Sequence, residues 1–145
     1  MILSALLKNI NIEKIWGDNN IEISGISYDS RTVKEDYLFV CIQGFKTDGH
    51  KYIKNAIENG AKAIVIEKFV EDMEDFIQKG IVFIKVNNSR KAISRLSSNF
   101  YGNPSAKLKV IGITGTNGKT SITYLINSIL QKNNFKCALI GTIKN

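Results

Sequence analysis

Apolar positions along this 145-residue chain change their period several times, and each period predicts an element. Ile2, Leu3, Leu6 and Leu7 recur at helical spacing and predict a short opening helix. Residues 14–20 hold Trp16, Gly17 and two asparagines and read as a turn with one aromatic anchor. Ile21 and Ile23 alternate with Glu22 and Ser24, predicting a half-buried strand that runs to Gly25. The almost wholly apolar YLFVCI at residues 37–42 predicts an interior strand, followed by a glycine-bounded loop over 43–49. Tyr52, Ile53, Ala56 and Ile57 mark one helix face, and Gly60 is its stop. A strand is predicted over 63–66, and a helix over 68–79 with Phe69, Met73, Phe76 and Ile77 inward. Another strand is predicted over 81–86, then a helix over 89–101 capped by Asn88 or Ser89. Ala92, Ile93, Leu96 and Phe100 form its apolar face.

The pattern breaks at residues 102–107, which contain the single proline, Pro104. Beyond it, residues 108–113 predict a buried strand, and Ile122, Leu125, Ile126, Ile129 and Leu130 share one helix face. A last strand starts near Cys137 and runs to 143. The predicted domains are therefore 1–103 and 104–145. Two strands and one helix cannot cover both faces of a parallel sheet. The second domain is thus expected to be cut short, with the remainder of the chain beyond residue 145 as its partner.

Composition narrows the class. Apolar residues make up 43%, as in a globular protein, and the net charge is +7. Lysines are spread along the chain with no basic block and no interleaved aromatics, which argues against a nucleic-acid groove. The positive field suits an anionic nucleotide or nucleotide-sugar. Cys41 and Cys137 lie in apolar runs and read as buried thiols, outside any disulfide or metal framework. The first residues lack both a leading basic segment and a long apolar run, so neither a signal peptide nor membrane insertion is expected. A reducing, cytoplasmic setting follows from these two observations.

The stretch VIGITGTNGKTS at residues 110–121 carries the candidate chemistry. A strand, a glycine-rich turn, Lys-Thr and a helix make a phosphate cradle. Small residues let backbone N–H groups approach phosphate, and a helix N-terminus faces its charge. Lys119 would reach the outer phosphates of ATP, and the Thr120 hydroxyl would hold Mg²⁺. The match is loose, because Ile113 stands where the usual pattern has its first glycine. Asp29, Ser30 and Arg31 are a second candidate. They read either as an Asp-Ser turn with a surface arginine or as an anion contact. In the second reading Ser30 bonds a base or phosphate, and Arg31 orders the loop through Asp29. His50, the only histidine, reads as a structural residue at a helix start, and Arg90 as a solvated first-turn arginine.

Two stretches resemble the Mur ligase family, in particular its branch that joins a diamino acid to UDP-N-acetylmuramoyl-L-alanyl-D-glutamate. One is DSR at 29–31 followed by DYLFVCIQGFKTDGHKYIKNAIENGAKAIVIE at 36–67; the other is FYGNPSAKLKVIGITGTNGKTS at 100–121. The GTNGKT wording is that of this branch, whereas the D-alanyl-D-alanine-adding branch reads GS-x-GKT. The resemblance implies an α/β fold, with a small mixed-sheet UDP-sugar-binding domain followed by the start of a P-loop ATP-binding domain with a parallel sheet. It implies an ATP- and Mg²⁺-dependent amide-forming ligase of peptidoglycan synthesis, acting through an acyl phosphate on meso-diaminopimelate or L-lysine. It implies that Tyr28, Ser30, Gly44, Phe45, Lys46 and Thr47 contact the UDP-sugar. Gly115, Thr116, Asn117, Gly118, Lys119, Thr120 and Ser121 would bind ATP, with Lys119 and Thr120 catalytic and Thr120 on the metal. Residues 1–145 alone are expected to be inactive. The competing readings are the pentapeptide-forming branch and a non-catalytic nucleotide-sugar-binding module.

Overall fold

The computed structural model describes residues 1–45 and 47–141, in two compact units, Met1–Lys107 and Leu108 onward. The first unit is α/β. Its elements are α1 (Leu3–Leu6), β1 (Ile12–Trp16), β2 (Gly25–Ser27), β3 (Tyr37–Val40), α2 (Ile53–Glu58), β4 (Ala61–Ile66), α3 (Met73–Gln78), β5 (Val82–Val86) and α4 (Ser89–Phe100). The sheet order is β1-β5-β4-β3-β2, with β2 to β5 parallel and β1 antiparallel to β5. The sheet is therefore mixed, as the family resemblance implies.

Period-two alternation sorts the central strands into two apolar faces. Leu38, Val40, Ala63, Val65, Val82, Ile84 and Val86 face α1 and α4, meeting Leu3, Leu6, Ala92 and Leu96. Phe39, Cys41, Ile64, Ile66 and Phe83 face the other side with Ile53, Ala56 and Met73. Ala61 breaks the phase and joins the second face, because the β3–β4 register shifts between Tyr37 and Leu38. The extra residue, Lys62, turns outward and pairs with Asp36 at 2.5 Å.

Several expected boundaries differ. Residues 14–20 are not only a turn: Lys14, Ile15 and Trp16 complete β1, because their backbone groups pair with β5. The half-buried strand expected over 21–25 falls at Gly25–Ser27, where β3 offers a ladder; Glu22 makes only an isolated bridge to Ile2. The helix expected over 68–79 is Met73–Gln78, and Asp72 before it is left-handed (φ 60°). Phe69 thus lies outside the helix, exposed, with its ring edge-on to Trp16 at 5.6 Å.

Gly60 ends α2 at φ +105°, and a Cβ there would lie 2.7 Å from Glu35 Cα. Both the left-handed backbone and the backbone neighbour oppose a side chain. Gly60→Ala is expected to destabilise the unit by about 1–3 kcal/mol. A urea-denaturation midpoint equal to that of the parent would contradict this.

In the second unit α5 (Lys119–Lys132) forms where the helical period predicts it. Among the described residues the buried strand expected over 108–113 does not form, nor does the parallel sheet expected of this domain or a strand from Cys137 to 141; residues 142–143 lie outside the described residues. Leu108 (67% exposed), Val110 and Ile111 (58%) remain at the surface, because no neighbouring strand among the described residues takes up their backbone groups. Instead residues 108–111 and 136–140 line an apolar groove of about 620 Å³ with Thr123, Ile126, Asn127 and Leu130 of α5. Cys137 is consequently half-buried rather than buried.

Candidate functional site

Parallel pairing delivers the C-terminal ends of β2, β3, β4 and β5 to one edge of the sheet, where the loops of an open α/β sheet can bind ligands. The residues predicted for the UDP-sugar lie on the first two of these loops. After β2, Asp29 caps a 3-10 turn, Ser30–Thr32, accepting from the Arg31 amide at 3.0 Å. Its carboxylate also takes two bonds from the Arg31 side chain, Nε at 2.9 Å and Nη2 at 2.7 Å. The loop-ordering role read for Arg31 is therefore present in the geometry. Ser27 Oγ donates to Asp29 O and receives the Asp29 amide, fixing the turn from below. Asn59 Nδ2 donates to Ser30 O at 2.9 Å, which anchors the turn to the end of α2. Ser30 is buried, whereas Tyr28 is exposed.

The Arg31 side-chain bonds and its amide bond lower the Asp29 carboxyl to about 2 against the opposing cost of desolvation, with the Arg31 charge adding to the lowering. A carboxyl held below its unfolded value favours the folded state above that unfolded value. The contribution fades as pH falls through about 2. A carboxyl-carbon NMR titration should therefore show Asp29 still ionised at pH 3, and Arg31→Ala should return its midpoint towards the ordinary carboxylate range.

The second loop leaves β3 at Cys41 and returns at the 3-10 turn Gly49–Tyr52. Gln43 and Asp48 bridge its neck, and the Gly44 amide donates to Thr47 O at 2.9 Å. Gly49 sits where a Cβ would lie 2.7 Å from the Ile42 amide nitrogen, so only glycine allows the close return. Phe45 at the tip is fully exposed, and Lys46 lies outside the described residues. Thr47 Oγ1 is 3.1 Å from Tyr52 Oη, which ties the loop to the turn that closes it.

Beneath this surface is a polar cluster that the sequence reading did not assemble. Asp48 accepts from the His50 amide at 3.0 Å, pairs with His50 Nδ1 at 2.6 Å and receives Lys68 Nζ at 2.6 Å. Burial pushes the Asp48 carboxyl up, but the bonds from Lys68 and His50 outweigh it and hold the carboxyl well below the usual range. The Glu67 amide donates to His50 Nε2 at 3.1 Å, and the Glu67 carboxylate receives the Ser89 amide at 2.6 Å. Arg90 is not simply solvated: its Nη2 donates to Gln43 O at 2.9 Å. The Asp-Gly-His spelling of a turn in which aspartate bonds two residues ahead was the available signal.

The second candidate site belongs to the other unit. Gly115 (φ +152°) and Gly118 (φ +75°) shape the turn into α5. No side chain caps the helix N-terminus. Lys119 Nζ folds back over the turn, donating to Gly115 O at 2.5 Å and reaching Thr116 O at 3.4 Å. Thr120 and Ser121 follow in the first turn. Uncapped amides at a helix start beside an ammonium give a positive end suited to phosphate oxygens. Residues 115–121 lie together on the turn into α5; Ser30 lies on the loop after β2, Gly44 and Thr47 share the loop after β3, and Lys46 lies outside the described residues.

Among the described residues no helix is long and apolar enough to cross a membrane, and no group of three or more His, Cys, Asp or Glu could hold a metal.

Comparison with known proteins gives concordant results. The family profile described as Mur ligase family, catalytic domain, matches residues 22–101, and the Mur ligase middle domain profile matches 113–145. The chain is 53% identical over 145 residues to the UDP-N-acetylmuramoyl-L-alanyl-D-glutamate--2,6-diaminopimelate ligase of Clostridium botulinum, covering 100% of this chain and 29% of that protein. It is 50% identical over 144 residues to the ligase of that name from Clostridioides difficile, covering 99% and 28%. The chain thus spans under a third of the length of these curated relatives. Among solved structures, the UDP-N-acetylmuramoylalanyl-D-glutamyl-2,6-diaminopimelate--D-alanyl-D-alanyl ligase of Acinetobacter baumannii superposes with a TM-score of 0.60 at 24% identity, over 90% of this chain and 28% of that one. The MurF ligase of Thermotoga maritima, solved in complex with ADP, gives 0.53 at 28% identity over 74% and 23%. With more than half of its length matched by the first profile, the chain belongs to the Mur ligase family.

Proposed function

We propose that this chain supplies the UDP-sugar-binding unit and the ATP phosphate loop of a ligase that joins a diamino acid to UDP-N-acetylmuramoyl-L-alanyl-D-glutamate. The observation that carries the reading is the glycine turn at 115–118, which leads into α5 with Lys119 Nζ lying across it. The diaminopimelate ligase name borne by the relatives from Clostridium botulinum and Clostridioides difficile, about half identical over the whole chain, supports diaminopimelate as the amino acid added.

The residues present fit a nucleotide triphosphate end. The first-turn amides of α5 have no side-chain cap competing for them, and a Cβ at Gly112 or Gly118 would meet nothing closer than 4.0 Å, leaving open space at the turn. Backbone amides of 115–121 and Lys119 would hold the phosphates, and the Thr120 hydroxyl would hold Mg²⁺. When bound, ATP supplies the phosphoryl group that activates the substrate carboxylate for amide formation. Lys119 has the charge to stabilise negative charge at the transferred group, and must first leave Gly115 O and Thr116 O. In the first unit, Ser30 and the loop bearing Gly44, Phe45, Lys46 and Thr47 would hold the uridine end, with Tyr28 beside them. The work of each unit suits a cytoplasmic enzyme fed by soluble nucleotide substrates.

The test is release of ADP by the full-length protein with ATP, Mg²⁺, UDP-N-acetylmuramoyl-L-alanyl-D-glutamate and diaminopimelate, each omitted in turn. ADP release that needs all of them is expected; none would refute the ligase. Residues 1–145 alone should bind nucleotide without turnover. Isotope-labelled 1–145 titrated with UDP should shift the amides of Ser30 and Gly44. Shifts confined to 115–121 would remove the uridine assignment.

A further inference from the structure

We propose that His50 is a positioning residue for the nucleotide-sugar: as a neutral imidazole protonated on Nδ1, it locks the loop bearing Gly44 and Thr47 onto the end of β4. The inference rests on the reading above that this loop meets the UDP-sugar.

The tautomer follows from the partners. A backbone amide can only donate, and the Glu67 amide points at His50 Nε2 at 3.1 Å, so Nε2 carries a lone pair. The ring proton is therefore on Nδ1, which faces Asp48 at 2.6 Å. The ring is almost wholly buried, with its side chain 5% exposed, so both bonds are shielded from water.

These bonds belong to a closed circuit around the loop. Asp48 ends the loop and is held by His50 and Lys68. His50 receives Glu67 at the end of β4, and Glu67 receives Ser89 at the start of α4. Arg90, the next residue, returns to Gln43 O at the start of the loop. Both ends of a loop with an exposed tip are thus fixed to the rigid sheet and α4. Preorganisation of this kind lowers the ordering cost of binding and should appear in KM.

The test is steady-state kinetics of the full-length ligase, varying UDP-N-acetylmuramoyl-L-alanyl-D-glutamate at saturating ATP and diaminopimelate. His50→Ala is expected to raise KM about tenfold with kcat within about twofold. His50→Gln places an amide oxygen where Nε2 accepts, so it should bring KM to within about threefold of the parent. Arg90→Gln alters an exposed side chain and frees the other end of the loop, so it should raise the same KM about threefold to fivefold without loss of folding. The proposal is overturned if His50→Ala and Arg90→Gln leave KM unchanged, or if His50→Gln raises KM as far as His50→Ala does. With Ser30→Ala raising KM in the same assay, that result removes only the positioning role. A parent enzyme that releases no ADP removes the ligase reading, and this proposal with it.

Discussion

Lys119→Ala in the full-length ligase should lower kcat about a hundredfold to a thousandfold while leaving the thermal unfolding profile in place. The two halves of that expectation have separate grounds. Lys119 contributes little to folding, because its head group is exposed and its bonds go to carbonyls of its own turn, Gly115 and Thr116. In the bound state the same ammonium would face phosphoryl oxygens whose charge rises during transfer, so its removal acts on the transition state. Lys119→Arg should not rescue fully, since a planar fork does not reproduce a compact ammonium at the centre of a tight glycine turn. Turnover by Lys119→Ala at the parent rate would end the proposed mechanism.

Phe39→Ala should be the most damaging substitution in the sheet, at about 3–5 kcal/mol. Phe39 is fully buried in the middle of β3, on the face that holds Ile53, Ala56, Ile64 and Phe83. Truncation would leave a cavity walled by backbone-fixed strands and α2, which cannot collapse into it. Against a total stability of about 5–15 kcal/mol, such a loss should leave a substantial unfolded fraction at growth temperature. Phe45→Ala provides the contrast. Phe45 is fully exposed at a loop tip, and its loss should stay within about 0.5 kcal/mol. Urea denaturation of the two variants side by side decides the matter, and similar midpoints would contradict the core assignment.

How much of this was legible in the sequence varies with the range of the forces. Local periodicity located α1, β3, α2, β4, β5, α4 and α5, and the caps at Asn88 and Gly60 marked their ends. What failed was set by remote partners. Residues 12–16 are strand because β5 accepts them, and nothing in Glu13-Lys14-Ile15 announces that neighbour. Residues 108–113 carry strand-like apolar spacing yet form none, since propensity without a ladder is insufficient. The candidate site divides in the same way. The Gly-Lys-Thr turn and the Asp29–Arg31 pair are local, and the sequence showed both. The circuit from Asp48 through His50, Glu67 and Ser89 to Arg90 joins three loops, and only folding brings them together.

The order of the sheet bears on how the chain emerges from the ribosome. β2, β3, β4 and β5 are laid down side by side in the order of synthesis, so each can dock on its predecessor as it appears. β1 is the exception. It is made before all of them, yet its partner is β5, and the ion pair between Glu13 and Lys85 joins residues 72 positions apart. At about 5–20 residues per second, the first strand must wait several seconds for a neighbour, with Ile12, Ile15 and Trp16 unpaired meanwhile. Lys14, whose ammonium lies 4.9 Å over the Trp16 ring, and Glu13 keep this waiting segment charged, which discourages its pairing with another nascent chain.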